Sequence, residues 1–211
     1  MFKLAVLISG NGTNLQALID ANKNEKWEIW LVVSDNPNAF GLKRAEAANI
    51  KTMYISKHDP GILLETLRKN RIDGIVLAGY LSILPRKIVS AYKGKIINIH
   101  PSLIPDFCGK GFYGEKVHSA VLESGVKITG ATVHYVDEGI DTGPIIMQKS
   151  VSVFKDDNVE SLQKRVLQAE HEILLKAVRM MAGDSAGKDM IVNETKSVNQ
   201  CKRQAGNCRV C

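Results

Sequence analysis

The 211-residue chain is poor in aromatic side chains: five Phe, five Tyr and two Trp make up 6% of it. No basic run is interleaved with them, so the composition argues against nucleic-acid binding. Nowhere do 18 apolar residues follow one another, so no ordinary membrane-spanning helix is expected. The start, MFKLAVLISGNG, offers one Lys and five apolar residues, Leu4 to Ile8, before a glycine turn. That stretch is too short for a secretory signal and reads as a buried strand, so a cytoplasmic protein is expected. Cysteines number four: Cys108 stands alone, and Cys201, Cys208 and Cys211 crowd the end. The body holds too few for a disulfide framework, which fits a reducing compartment. The three terminal thiols fall one short of a closed zinc site, and no metal is expected.

What is present is enough to build a core: 45% of residues are hydrophobic and 24% are charged. Half of the net charge of +6 comes from residues 185–211, where Lys188, Lys196, Lys202, Arg203 and Arg209 outnumber Asp189 and Glu194. The body is therefore only mildly basic, which suits small anionic substrates.

Apolar patterning organises residues 1–183 as one domain. Continuous apolar runs at 3–9 and 73–79 read as strands covered on both faces. Further strands are expected at 28–34, 51–55 and 95–100, with helices at about 14–22, 40–48 and 61–69 between them. This βαβ rhythm predicts an α/β fold, a Rossmann-like, mostly parallel sheet flanked by helices. A helix at about 114–123 follows, then a strand pair at 127–136 and 144–153, then a long helix over 158–182. The start of that helix, Asp157-Asn158-Val159-Glu160, is expected to form a capping box with Glu160 as the returning side chain. Residues 184–211 lose periodicity and are expected to form a poorly ordered extension, with one short strand at Met190–Val192.

Four groups of residues can carry chemistry. Ser9-Gly10-Asn11-Gly12-Thr13-Asn14 follows the first strand and opens a helix, where unpaired N–H groups and the helix dipole attract phosphate. A tight turn with an ordinary N-cap is the alternative. The loop is neither a Walker loop nor a full dinucleotide fingerprint, because Leu15 stands where the third glycine belongs; a single phosphate is favoured. Asp35, at the end of the second strand, is either a ribose anchor or part of the turn Asp35-Asn36-Pro37-Asn38.

In the second group, Asn98-Ile99-His100-Pro101-Ser102, strand alternation puts Asn98 and His100 on one face at the ligand-binding edge of an open α/β sheet. Asn offers a neutral donor, and His an acid, a base or a cation; a purely structural His is the alternative. The third group, His134-Tyr135-Val136-Asp137-Glu138-Gly139-Ile140-Asp141-Thr142-Gly143, lacks the spacing of a calcium loop. Its Asp141 is a candidate carboxylate partner for His100, raising the pKa of that histidine. The fourth is Glu170, on the apolar stripe of the long helix, where a carboxylate is costly unless paired or at a site. It is either functional or at the stripe's edge.

Taken in order, ISGNGTNLQALID, VLAGYLSIL, INIHPSLIP and TVHYVDEGIDTGPII closely resemble the folate-dependent formyltransferase family. The glycine loop with Thr13-Asn14-Leu15-Gln16 resembles the branch that formylates glycinamide ribonucleotide. The resemblance covers about residues 1–182. It implies Asn98, His100 and Asp141 as the catalytic trio. Gly12, Thr13 and Asn14 are implied to hold the substrate phosphate, and Glu170 to contact the ribonucleotide. Leu81, Ser82, Ile83 and Leu84, with Asn98, are implied to line the folate site, and Asp137, Glu138, Gly139 and Ile140 to wrap the pterin. Ser82 stands where family members often carry an arginine, and 56–62 lacks an arginine found in some relatives. The loop Cys108–Tyr113 also departs from the proline-rich loop of some relatives.

The implied partners are glycinamide ribonucleotide and the co-substrate 10-formyltetrahydrofolate, with no nucleic acid and no membrane, in a monomer or homodimer. A formyltetrahydrofolate hydrolase and a methionyl-tRNA formyltransferase are the alternatives within the superfamily; each is expected to carry a further domain. Gly10-x-Gly12 with Asp35 leaves a nicotinamide-dependent oxidoreductase as an alternative of another class. A ligand-binding regulator without turnover is a third.

Overall fold

The computed structural model describes residues 1–183. The extension expected at 184–211, with its short strand at Met190–Val192 and Cys201, Cys208 and Cys211, lies outside the described residues. Strands and helices follow as β1 (Phe2–Ile8), α1 (Thr13–Ala21), β2 (Trp27–Ser34), α2 (Phe40–Ala47), β3 (Thr52–Tyr54), α3 (Pro60–Lys69), β4 (Gly74–Leu77), α4 (Arg86–Ala91), β5 (Ile96–His100), α5 (Glu115–Ser124), β6 (Ile128–Tyr135), β7 (Ile145–Ser152) and α6 (Val159–Met181). They build one seven-stranded sheet in the order β3-β2-β1-β4-β5-β6-β7. The first five strands are parallel, while β6 and β7 are antiparallel additions. The α/β, mostly parallel architecture with a C-terminal strand pair and long helix is thus present.

The unbroken apolar run of β1 has a direct cause: both faces of the strand are covered. Leu4, Val6 and Ile8 point into a core shared with Leu15 and Leu18 of α1 and the stripe of α6. Ala5 and Leu7 point into a second core with Leu63 and Leu67 of α3 and Ile88 and Val89 of α4. The helix α4 has no counterpart among the expected elements. Its six residues complete fewer than two turns, too little for a helical period to stand out; it follows Pro85 and buries Ile88 and Val89.

The long helix α6 begins as expected at a capping box, but with a different partner. The Asn158 side chain accepts from Ser161 N at 2.8 Å, and Asn158 N donates to Ser161 Oγ at 3.0 Å. Asn158 is the N-cap, so the third helical residue is Ser161 and Glu160 is the second. Arg165 then clamps Asp157 through two hydrogen bonds of 2.7 and 2.8 Å, fixing the chain's entry into the helix.

Sheet order reverses at β1, whose neighbours are β2 and β4. Connections leave such a point toward opposite sides, so the loops that follow β1 and β4 part and leave room for a crevice at the C-terminal edge of the sheet. Ser9, just past β1, stitches its rim: its N–H donates to Gly79 O at 3.0 Å, and its hydroxyl accepts from Leu81 N at 2.8 Å. Among the described residues no helix is long and apolar enough to cross a membrane.

Candidate functional site

The glycine loop leaves β1 and enters α1 through Gly12, at φ 73° and ψ 35°. That left-handed conformation favours glycine. A second reason is steric: a Cβ on Gly12 would lie 2.7 Å from Gly41 Cα at the start of α2. The sequence offered anion approach or a tight turn as reasons for this glycine; close contact of two backbones is a further one. No side chain caps α1, so the loop adds no competing acceptor where helix-terminal N–H groups attract an anion. Asn14, in the first turn of α1, donates from Nδ2 to Glu170 Oε2 at 2.5 Å. Glu170 is only 7% exposed. Burial raises its carboxyl pKa, and the Asn14 hydrogen bond opposes that rise. Asn14 Oδ1, also buried, has no hydrogen-bond partner among the described residues.

At the far side of the crevice, β5 delivers Asn98 and His100 on one face. The antiparallel register pairs Asn98 with His134 of β6, so His134 enters the same face. His134 Nδ1 lies 2.9 Å from its neighbour's carbonyl, Tyr135 O. A carbonyl only accepts, so Nδ1 carries the hydrogen and Nε2 offers a lone pair. Asn98 Nδ2 donates to that lone pair at 3.0 Å, and more weakly to Asp141 Oδ1 at 3.4 Å. The same reasoning fixes His100. Its Nε2 faces Phe107 O at 2.9 Å and is therefore the N–H. Nδ1, 3.7 Å from Asp141 Oδ2, is then the atom that gains or loses a proton.

Asp141 is held for this position by its backbone. Its φ of 57° is unusual for a residue with a side chain. Gly109 N donates to its Oδ2 at 3.0 Å, and His134 Nε2 stands 3.5 Å from its Oδ1. Burial raises the Asp141 pKa, but the neighbouring His134, the Gly109 amide and His100 outweigh it, leaving a net lowering. At His100 burial is the larger effect. Burial lowers its pKa, and the Phe107 carbonyl and the Asp141 charge oppose this only in part. The neighbouring carboxylate does act in the expected direction, but removal from water is the larger effect.

Two solvent-open cavities meet at this group, of about 600 Å³ and 880 Å³. The first is lined by Leu81 to Leu84, by Asp137 to Asp141, and by Asn98 and His134. The second is lined by Asn98, His100, Asp141 and the glycine-rich stretch Gly109–Gly114. Every residue expected to line the folate site thus borders one cavity. Asn14 and Glu170 meet each other, but neither they nor Gly12 and Thr13 line these two cavities. The loop 137–141 is stapled internally: Asp137 Oδ1 accepts from Gly139 N at 3.0 Å and from Thr142 Oγ1 at 2.7 Å. Glu138 reaches outward to Arg86 at 3.2 Å.

Asp35 does more than turn the chain. The turn is there, with Asn38 N donating to Asn36 Oδ1 at 3.0 Å. Yet the Asp35 carboxylate accepts a hydrogen bond from Ser82 Oγ, across the rim. That engagement removes one oxygen from any ribose. Burial, with the Asp35 charge added, pushes the nearby Tyr80 hydroxyl up to about 12, against a smaller lowering from Ser82. His134 opened the third group read from sequence but was given no role there, and Tyr80 was not singled out. The signal for His134 was strand register, which alternation along β5 alone does not contain. Among the described residues no group of three or more His, Cys, Asp or Glu side chains is arranged to hold a metal ion.

Comparison with known proteins follows the same line. Residues 2–178 match the family described as Formyl transferase. A phosphoribosylglycinamide formyltransferase of Bacillus subtilis is 38% identical over 192 residues, covering 87% of this chain and 96% of the relative. A chloroplastic phosphoribosylglycinamide formyltransferase of Vigna unguiculata is 38% identical over 188 residues, 85% of this chain; the match spans 60% of that relative's length. The crystal structure of phosphoribosylglycinamide formyltransferase from Anaplasma phagocytophilum superposes with a TM-score of 0.81 at 42% identity, covering 87% of this chain and 88% of the other.

Proposed function

The chain belongs to the formyl transferase family, and we propose that it transfers the formyl group of 10-formyltetrahydrofolate to the amine of glycinamide ribonucleotide, a step of purine synthesis. The single observation that carries this reading is the meeting of Asn98, His100 and Asp141 where two cavities join, with His100 Nδ1 facing the Asp141 carboxylate. In this reading residues 1–183 form the formyltransferase unit. The reduced folate occupies the cavity bounded by Leu81, Ser82, Ile83, Leu84, Asp137, Glu138, Gly139 and Ile140. Gly12, Thr13 and Asn14 hold the ribonucleotide phosphate, and Glu170 contacts the ribonucleotide. The enzyme is cytoplasmic, as the small cysteine content of the body suggests.

The substrate amine attacks the formyl carbon, and the carbonyl oxygen becomes an oxyanion. Asn98 donates to that oxygen by exchanging its long 3.4 Å bond to Asp141 for a shorter one, while its bond to His134 keeps the amide oriented. His100 takes up a proton at Nδ1 as the oxyanion forms, because that charge and Asp141 together oppose the lowering by burial, and the imidazolium offsets the oxyanion's charge. Asp141 stabilises that imidazolium and, through water, takes the proton the amine loses on attack. Collapse expels N10 of the folate, which receives a proton in turn, and the products are formylated ribonucleotide and tetrahydrofolate. Attack by a neutral amine on a formyl group requires no metal and no covalent enzyme intermediate. Asn98→Ala and His100→Ala should each lower kcat by at least ~10²-fold, the scale of losing one oxyanion donor. KM should change far less. Near-normal turnover in either variant would remove that residue from the mechanism.

A further inference from the structure

We propose that Arg44, on α2, is a positioning residue for the glycine loop and sets the affinity for glycinamide ribonucleotide without touching it. The inference rests on the proposed function, in which residues 12–14 receive the substrate phosphate. One guanidinium ties together the two ends of that loop. Arg44 Nε donates to Asn11 O at 2.8 Å and Nη2 to Asn11 Oδ1 at 3.0 Å. Nη1 donates to Gln16 Oε1 at 3.2 Å. Asn11 precedes Gly12-Thr13-Asn14 and Gln16 follows it in α1, so the loop is spanned by a single rigid plane.

The backbone of α2 braces the same loop. Gly41 N donates to Gly10 O at 3.1 Å, and Gly12 lies so close to Gly41 that a Cβ on Gly12 would stand 2.7 Å from Gly41 Cα. Arg44 is itself steadied over the Phe40 ring, 4.9 Å from its centroid. Since no side chain caps α1, these contacts from α2 fix the loop's conformation from outside. The donors that bind an anion are backbone N–H groups, and their aim is set by the backbone alone. A displacement of about 1 Å in such a group can cost on the order of 10²-fold in productive binding or turnover. Lysine would keep the charge but cannot reach three acceptors from one plane.

The test uses the full chain with Arg44→Met and Arg44→Lys. Steady-state kinetics are measured with glycinamide ribonucleotide varied and, separately, with 10-formyltetrahydrofolate varied. The expected result is a rise of roughly tenfold or more in the ribonucleotide KM for both variants, with folate KM and saturating kcat unchanged. Wild-type ribonucleotide KM in Arg44→Lys would mean that charge rather than the fork matters, and would overturn the proposal. So would equal rises in both KM values, the mark of a general structural defect. If Arg44→Met does not fold, Arg44→Lys decides alone. The wild-type arm separates the two layers: a wild-type protein that does not formylate the ribonucleotide condemns the proposed function before any variant is compared.

Discussion

Replacing Gly12 by Ala perturbs the structure in two ways that can be sized separately. The residue sits at φ 73° and ψ 35°, a conformation costing a side-chain-bearing residue about 1–2 kcal/mol. The added Cβ would also stand 2.7 Å from Gly41 Cα. That neighbour is backbone at the start of a packed helix and cannot swing aside, so relief requires α2 to shift, at about 1–3 kcal/mol. Together these give roughly 2–5 kcal/mol, or about 5–15 °C in melting temperature for a domain of this size. Gly10 supplies the control. It has no positive φ, and a Cβ there meets nothing within 4 Å, so Gly10→Ala should stay within about 0.5 kcal/mol of wild type. Differential scanning calorimetry of the full-length variants reads both. Two glycine variants melting within about 2 °C of each other would refute the argument that backbone contact holds the loop.

Four further outcomes follow from the same geometry. Asp141→Asn removes the charge that opposes burial at His100, so the His100 pKa should fall further, turnover near pH 7 should drop, and some activity should return at lower pH; an unchanged ring titration by NMR would contradict this. Burial pushes His118 from 6.5 to about 4, with the His100 charge adding a smaller lowering. Its contribution to stability is therefore complete above about 6.5 and lost as pH falls toward 4, because the unfolded chain takes up the proton first. Denaturant midpoints should decline over that window and decline less in His118→Gln; equal slopes would sink the assignment. Glu170→Gln relieves a buried carboxylate while leaving an acceptor for Asn14, so stability should hold or rise while calorimetry shows weaker ribonucleotide binding; unaltered binding would make Glu170 purely structural. Millimolar NAD or NADP should give no thermal shift, since Ser82 engages the Asp35 carboxylate, and a saturable shift would revive the dinucleotide reading.

Much of the fold was legible because burial writes itself into sequence. β1 is apolar at every position from Leu4 to Ile8 since two cores need it, and the stripe of α6 repeats with the helical period. The helix α4 was not legible, being too short for periodicity to distinguish it from loop. The capping box was read one residue early: Asp157 and Asn158 are both good caps, and only the observed pairing with Ser161 separates them. Asn98 and His100 could be placed on one face from alternation within a single strand. His134 joins them through the pairing of β5 with β6, a long-range register that one sequence does not encode locally. Asp35 was read as a turn residue or a ribose anchor because its partner, Ser82, lies 47 positions away. At His100 the charged neighbour is visible in sequence and acts in the expected direction, but the depth of burial that sets the net lowering is not visible there.

The central claim is a formyl transfer that needs both substrates. Purified protein is mixed with 10-formyltetrahydrofolate, and the folate absorbance is followed with and without glycinamide ribonucleotide. The account predicts conversion to tetrahydrofolate only when the ribonucleotide is present, with one formylated ribonucleotide formed per folate consumed. Folate turnover at the same rate without the ribonucleotide would identify a hydrolase, and no turnover under either condition would contradict the account outright.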